Sequence, residues 1–344
     1  YSSVSAGNSV GLGTGALAND DGTNANTAVG TSALNSNTSG VYNTSLGYQS
    51  AQLNTTGFYN TSVGYRTLAS AVAGCERNTA IGSLALESLN SNGKLNTAVG
   101  YAALKSQTGS SINSAFGTES LENNSSGDKN NANGYQSLRG NTTGSLNTAN
   151  GYVSLLYNTT GVNNTSTGGW SMLSNTTGNY NTAYGAHALR GNVSGSRNIG
   201  IGDWAGGGIT TGSNNTVIGY LTGTAALADT VLIGAGATER LKIDSTGLYV
   251  NGSSTALGGG GGDFVSITET GQGYGTSYRA ANPANYGNIR NNAVDLSFSD
   301  STSSSRGATN SYAFASGQYT TASASHSVAM GKLTRASSDY AFAM

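Results

Sequence analysis

The 344-residue sequence contains one proline, one cysteine, two histidines and two tryptophans. Each scarcity removes a class of protein. A single cysteine, Cys75, cannot build an intrachain disulfide framework and reads as a buried thiol. With one proline, and glycines that do not recur at every third position, the chain is not collagen. Charged residues make up 9% of the chain, against about 25% in an ordinary soluble domain. Fifteen basic and sixteen acidic residues leave a net charge of −1 and no Lys/Arg cluster. No nucleic-acid partner is therefore expected, because phosphate binding needs a positive surface. No apolar run approaches the ~20 residues of a membrane-spanning helix. The chain opens on Tyr1 rather than Met, as expected of a processed or partial polypeptide.

What the chain has in quantity is glycine, 52 residues, together with Asn, Ser, Thr and 19 Tyr. Length alone suggests two ordinary domains, and this composition alone is compatible with disorder. The spacing argues otherwise. A unit of the form Asn-Thr-Ala-Val-Gly-Tyr-x-x-Leu recurs thirteen times. Its first position falls at Ser9, Asn26, Asn43, Asn60, Asn78, Asn96, Asn113, Asn130, Asn147, Asn164, Asn181, Asn198 and Asn215. The step is 17 residues, except for 18 from Asn60 to Asn78 and from Asn78 to Asn96. Low-complexity drift does not hold such a register.

Positions within the unit differ in what they tolerate. The fifth is Gly in every unit, from Gly13 to Gly219, which implies positive φ or close backbone approach. The third is small (Ala28, Ser45, Ala80) and the ninth is a core knob (Leu17, Leu34, Leu86, Met172), with Ala51 breaking the series next to Leu53. A second turn, Asn-Thr-Thr-Gly, recurs at Asn54–Gly57, Asn141–Gly144, Asn158–Gly161 and Asn175–Gly178, and both Asn and Gly tolerate left-handed backbone. Each unit is therefore expected to run as short strand, turn, short strand, turn. Helix is disfavoured throughout by Gly and Thr. One unit cannot bury its own apolar side, but stacked units can. The expected fold is all-β, a repetitive parallel β-solenoid (β-roll) fibre. Thirteen coils at the ~4.8 Å strand spacing extend roughly 60 Å, and stacked Asn side chains are placed to form amide ladders.

Such an interior is thin. A second apolar column at the fourth position (Val29, Leu46, Val63, Ile81, Val99, Phe116, then Ile201 and Ile218) suggests a further buried face between chains, most simply a homotrimer closed by three-fold symmetry. In the middle units this position turns polar at Asn133, Asn150, Thr167 and Tyr184. These residues either ring an axis, holding water or an ion, or simply face solvent. The sixth position carries Tyr48, Tyr65, Tyr101, Tyr135, Tyr152 and Tyr220, an aromatic stripe suited either to a sugar or host surface or to packing between chains.

By organisation, residues 1–225 form the 17-residue array. Residues 226–262 are a β connector, with Arg240–Asn251 reading as two strands around an Asp-Ser-Thr-Gly turn and Gly258–Gly262 as a hinge. Residues 263–305 are an irregular β-rich module containing Pro283. From Arg306 a 14-residue repeat follows: Tyr312-Ala-Phe-Ala-Ser-Gly317 matches His326-Ser-Val-Ala-Met-Gly331 and Tyr340-Ala-Phe-Ala-Met344. That register places a Gly after Met344, so the polypeptide is expected to continue.

The 14-residue units of residues 306–344 resemble the head repeats of trimeric autotransporter adhesins, which are trimers of parallel β-rolls. The 17-residue units of residues 9–225 resemble repeats of phage-type tail fibres, related injection machines and bacterial surface fibres, and Arg240–Gly252 resembles a phage-fibre connector. The resemblance implies a structural trimeric fibre for attachment to a host or surface. Its place is extracellular, as a viral tail fibre or injection-machine fibre on a virion, or alternatively as a trimeric adhesin on a bacterial cell. The implied partners are two further copies of the chain and a host cell-surface receptor or polysaccharide.

Catalytic chemistry finds little footing. His187 and His326 have no Cys or His neighbour in sequence to make a metal site, and His187 reads as exposed. His326 takes a place held by Tyr312 and Tyr340 in its sister units. Gly200-Ile-Gly-Asp-Trp-Ala205 fits a dinucleotide pattern but lies in the repeat register without a βαβ context. The acids of the array recur at no fixed position, whereas a tailspike-like polysaccharide-degrading enzyme, the third reading, needs a carboxyl pair across a cleft. No catalytic, metal or cofactor residues are expected, and the Asn-x-Ser/Thr sequons read as turns rather than glycan acceptors.

Overall fold

The computed structural model describes residues 8–90, 92–250, 307–310 and 312–344, together with the strands Ser3–Val4, Phe264–Glu269, Gly273–Tyr278 and Val294–Phe298. The chain divides into two units, Tyr1–Asn251 and Gly252–Met344. The Gly258–Gly262 run and most of the 263–305 module, Pro283 included, lie outside the described residues. Among those described there is no helix, and the architecture is all-β, a parallel β-solenoid of about 16 turns.

In the first unit, strands β2 (Val10–Leu12) to β14 (Thr216–Ile218) contribute three residues each, one strand per 17-residue coil. Every one pairs in parallel with the next without a register slip, as in Thr148↔Thr165↔Thr182 and Ala149↔Ser166↔Ala183. The middle residue of each strand points inward and is buried; the outer two face solvent. Antiparallel strands close both ends of this sheet, which removes long exposed edges. β1 (Ser3–Val4) runs against β2. β15 (Val231–Ala235) continues the parallel stack and is followed by β16 (Thr238–Asp244) and β17 (Gly247–Val250), an antiparallel hairpin. Its Asp-Ser-Thr-Gly turn is held by Asp244, whose carboxylate takes the Lys242 ammonium at 2.7 Å and the Thr246 N–H at 2.8 Å. Those partners, Lys242 first, hold the Asp244 carboxyl well below the usual carboxylate range.

The expected second strand of each coil does not form. Among the described residues the return path makes only the isolated bridges Phe58↔Glu76 and Glu76↔Lys94. Rung-to-rung bonding persists there all the same, for example from Leu155 N–H to Ser171 C=O and from Thr159 N–H to Thr176 C=O, both at 3.0 Å. The reason lies in the backbone. Most coils place three non-glycine residues in the left-handed region, at the seventh, ninth and seventeenth positions, such as Trp170, Met172 and Tyr180 with φ of 55°, 44° and 58°. A left-handed L-residue costs about 1–2 kcal/mol, so this path survives only because every rung is bonded to its neighbours.

Left-handed backbone was expected instead at the Asn-Thr-Thr-Gly turn, and there the structure differs. Gly144 has ordinary φ. It is glycine because a Cβ would lie 2.4 Å from Gly161 O of the next coil and 2.5 Å from Asn141 Oδ1. The fifth-position glycine meets both expected demands at once: Gly151 has φ 138°, and a Cβ on it would lie 2.6 Å from Gly168 O.

Two asparagine ladders run along the interior. At the first position, Oδ1 of each Asn accepts the backbone N–H of the Asn one rung on (Asn164 to Asn147, 3.0 Å), while its Nδ2 donates to the turn carbonyl of its own coil (Asn147 to Gly161, 2.8 Å). At the twelfth position Nδ2 donates to Oδ1 of the rung before, from Asn141 to Asn124 at 2.7 Å and onward to Asn192. All of these amides are buried. Between them sit the ninth-position knobs and third-position small residues, also fully buried. Ala51 leaves its knob place small, because Leu53 points outward. In the two 18-residue coils the twelfth-position amide is replaced by Ala71 and Leu89, and these pack with Cys75 in the apolar core. Cys75 is a buried free thiol, as read from sequence, and burial pushes its pKa up.

In the second unit, the 14-residue coils add strands in parallel to two sheets. One holds β18 (Phe264–Glu269), β19 (Gly273–Tyr278), β20 (Val294–Phe298), β22 (Phe314–Gln318), β24 (Val328–Lys332) and β26 (Phe342–Ala343), with only β18 and β19 antiparallel; the other holds β21 (Gly307–Ala308), β23 (Thr321–Ala322) and β25 (Arg335–Ala336). Among the unit's described residues the apolar core is a cluster of alanines: Ala308, Ala313, Ala315, Ala322, Ala329 and Ala336.

Candidate functional site: aromatic ladders and an exposed strand face

Stacked coils align equivalent side chains about one strand spacing apart, close enough for rings to touch. Tyr48 and Tyr65 stack at 5.6 Å with planes 7° apart, and Tyr135 and Tyr152 at 5.3 Å and 12°. Tyr101 sits between Ser83 and Thr118 in its column, so no ring flanks it there. Tyr220 lies apart, lining a cleft of about 380 Å³ with Leu221, Leu227, Leu232, Glu239 and Lys242.

The longest ladder includes residues that the sixth-position reading passed over. From Tyr152 it crosses to the seventh position: Trp170 meets Tyr152 edge-to-face at 5.1 Å, His187 stacks on Trp170 at 5.3 Å, and Trp204 stacks on His187 at 4.7 Å. With Tyr135 this makes five rings on five consecutive rungs. The signal was present in the sequence, because residues 170, 187 and 204 are 17 apart, but the repeat consensus leaves that position variable. His187, expected to be exposed, is instead half-buried in a Trp sandwich, with Nδ1 3.3 Å from Asp203 Oδ1. Arg190 closes the end of the ladder with its guanidinium 5.3 Å from the Trp204 ring centre. The second unit repeats the device, since His326 stacks between Tyr312 at 4.8 Å and Tyr340 at 5.0 Å. A further pair, Tyr42 and Tyr59, stacks at 5.2 Å at the seventeenth position, with Arg77 5.7 Å from the Tyr59 ring centre.

This geometry limits what the ladders do. A sugar docks on an open ring face, and in the stacked pairs the shared faces are turned toward each other, whereas Tyr101 and Tyr220 have no stacked partner among the described residues. Each stacked pair contributes about 0.5–1.5 kcal/mol beyond its buried area. The ladders therefore act first as staples between rungs.

The outward strand face is the other candidate surface. Its fourth-position column, expected to pack between chains, is half-exposed in the single chain: Leu46 is 47% exposed, Phe116 43% and Ile218 37%. The pairings hold this column in register from Leu12 through Val29 and Val99 to Ile218. In the 14-residue coils, Phe314, Val328 and Phe342 form a like column.

Charges are few, and many are used between rungs. Arg139 reaches Glu122 at 2.7 Å and Glu119 at 3.2 Å, Lys94 reaches Glu76 at 2.7 Å and Arg66 reaches Glu87 at 3.1 Å. Among the described residues there is no group of three or more His, Cys, Asp or Glu placed to hold a metal, and no helix long and apolar enough to cross a membrane. The Gly200 dinucleotide-like pattern is strand Ile199–Ile201 followed by turns, without the helix that phosphate binding requires. The sequon residues Asn54, Asn141, Asn158 and Asn175 are buried, with Nδ2 engaged in the ladder. No known family and no curated protein sequence matches the chain.

Proposed function

We propose that the chain is a structural fibre that works as a homotrimer and attaches its bearer, a virion or related injection machine, to a host cell surface. The observation that carries this reading is the pairing of a thin core with a long apolar outer column. Among the described residues of the 14-residue coils the buried apolar side chains are all alanines, while along the 17-residue array the outward column stays open, with Leu46 47% and Phe116 43% exposed. So little apolar burial does not offset the entropy of ordering the backbone. Symmetric copies meeting on the exposed column supply the missing area and leave no protomer different from another. The parallel stack transmits force along the rung bonds, and the low charge keeps the shaft from adhering along its length. Resemblance of the repeats to tail-fibre and adhesin-head repeats gives the attachment role.

Two measurements test this. Native mass spectrometry of the purified chain is expected to give three copies, and a stably folded monomer would refute the trimer. Antibody raised against the chain is expected to decorate fibres on virions and block their adsorption. Decoration of a bacterial surface instead would move the protein to the alternative, a trimeric surface adhesin. Release of oligosaccharides from host polysaccharide by the pure chain would overturn the non-enzymatic role.

A further inference from the structure

A perfect repeat creates a problem for a symmetric fibre. If copies meet along the fourth-position column, a slip of one rung brings every residue opposite an equivalent one and loses only the contacts at the ends. Long-range charge does little to prevent this, because the column carries no ionisable group other than Tyr184. Register has to come from wherever the column departs from its own pattern.

It departs at one place. Phe116 is followed along the column by Asn133, Asn150, Thr167 and Tyr184, and the aliphatic run resumes at Ile201. The band is not a lapse of the coil beneath it. Ala132, Ala149 and Ala183 stay buried one residue earlier, and both Asn ladders pass through unbroken. Only the outward side chain changes, so the fold of the single chain gives no reason for the change.

We infer that the polar band Asn133–Asn150–Thr167–Tyr184 is a register lock between copies of this chain. This rests on the trimer reading. In register, the amides and hydroxyls of the band meet their own kind from the other copies and can bond. A slip by one rung sets Asn133 against Phe116 at one boundary and Tyr184 against Ile201 at the other, leaving polar groups buried without partners. A polar layer in an otherwise apolar seam fixes the register of coiled coils on the same principle. The occupant is a second copy of this chain because the column repeats once per rung for roughly 60 Å. Only a surface with the same rung spacing and the same interruption matches it along that length.

The test moves the band by one rung in the full chain: Phe116→Asn, Asn150→Thr, Thr167→Tyr and Tyr184→Ile. The altered chain carries a self-complementary column, so wild type and variant are each expected to give particles of three chains. After co-refolding, the bands are expected to align with the two chains one rung apart, so Val29→Cys in the chain with the native band forms a disulfide with Leu12→Cys in the moved-band chain at least about tenfold over Val29→Cys in that chain. Preference for the in-register 29–29 pair would overturn the lock while leaving the trimer intact. A monomer in the unmixed wild-type sample would instead remove the trimer reading on which the lock rests. If the moved-band chain does not assemble, the levelled chain N133V/N150V/T167V/Y184V decides. It is expected to form three-chain particles with staggered ends, seen by electron microscopy as rods longer than wild type. Rods of uniform wild-type length would overturn the inference.

Discussion

The two asparagine ladders look alike, yet the structure assigns them unequal weight, and the difference is measurable. Consider Asn147→Ala at the first position. Asn147 Oδ1 is the acceptor for the Asn164 backbone N–H at 3.0 Å and also takes Asn164 Nδ2 at 3.1 Å. Removing it orphans a buried backbone N–H that has no strand partner. Gly161 C=O loses the Asn147 amide at 2.8 Å but keeps Asn158 at 3.1 Å. An unsatisfied buried donor costs about 1–3 kcal/mol, and the lost amide bond about 1 more. The expected loss is therefore about 2–4 kcal/mol. Asn158→Ala at the twelfth position breaks its bonds to Asn141 at 2.8 Å and from Asn175 at 2.7 Å, but orphans no backbone group. Its expected loss is about 1–2 kcal/mol. Guanidinium unfolding of the assembled chain at fixed concentration, with hydrogen exchange at the Asn164 amide as the local probe, distinguishes the two. Equal losses, or an unchanged Asn164 amide in Asn147→Ala, would refute the argument. The chain's own repeats already agree with it. The first position is Asn in twelve successive units from Asn26 to Asn215, whereas the twelfth position also accepts Ala71, Leu89, Gln107 and Ile209.

Three further outcomes are expected. Ile112 is a β-branched residue at φ 62° with half its surface exposed; Ile112→Asn is expected to raise stability by about 1 kcal/mol by relieving left-handed strain, and a loss in denaturant midpoint would contradict that. Asp20 accepts Gly22 N–H on Oδ1 at 2.7 Å, and Asn26 and Asn37 Nδ2 on Oδ2 at 2.8 and 2.7 Å. Asp20→Asn puts a donor where an acceptor is needed, so hydrogen-exchange protection is expected to fall across residues 8–40 and to hold across 130–200; uniform change along the array would count against the role. Cys75 has its thiol pKa raised by burial, so the folded state holds the proton more tightly than the unfolded chain. Its contribution is full below the ordinary thiol value of 9.0 and is lost as pH rises through the folded value. Stability should fall above that pH in wild type and fall less in Cys75→Ala, and matching pH profiles would rule this out.

Much of this fold was legible because stacking converts sequence period directly into spatial columns. Gly151, Leu155, Ala149 and Asn147 each behave as their column predicts, since all units face the same neighbours. Misreadings came where the backbone leaves ordinary territory. Leu155 and Tyr180 carry no mark of left-handed φ, because that conformation is imposed by bonds to the rungs on either side rather than chosen by residue type. The same cause suppressed the second strand. His187 was misplaced because its surroundings are set by Trp170 and Trp204, one rung away on each side, rather than by its neighbours in sequence. The fourth-position column was read as a face packed between chains; in one chain it is half-exposed, and the trimer proposal supplies its cover.

The array's ends follow from the direction of its amides. In both ladders N–H groups point to the preceding rung and oxygens to the following one, so the stack has a donor end and an acceptor end, much as a helix does. At the donor end the repeat fails in the way required: Ser9 stands where Asn is the rule and accepts Asn26 N–H at 3.2 Å, and Asp20 supplies a carboxylate to the first amides of both ladders. At the acceptor end Asn215 Oδ1 takes Thr230 N–H at 3.1 Å, the twelfth-position ladder stops beneath Ile209, and the antiparallel hairpin covers the last strand. Residues that obey the consensus build the rungs, while those that break it decide where the ladder begins and where it stops. The polar band at Asn133 belongs to the same class of exception, and on the reading offered here it decides how copies align.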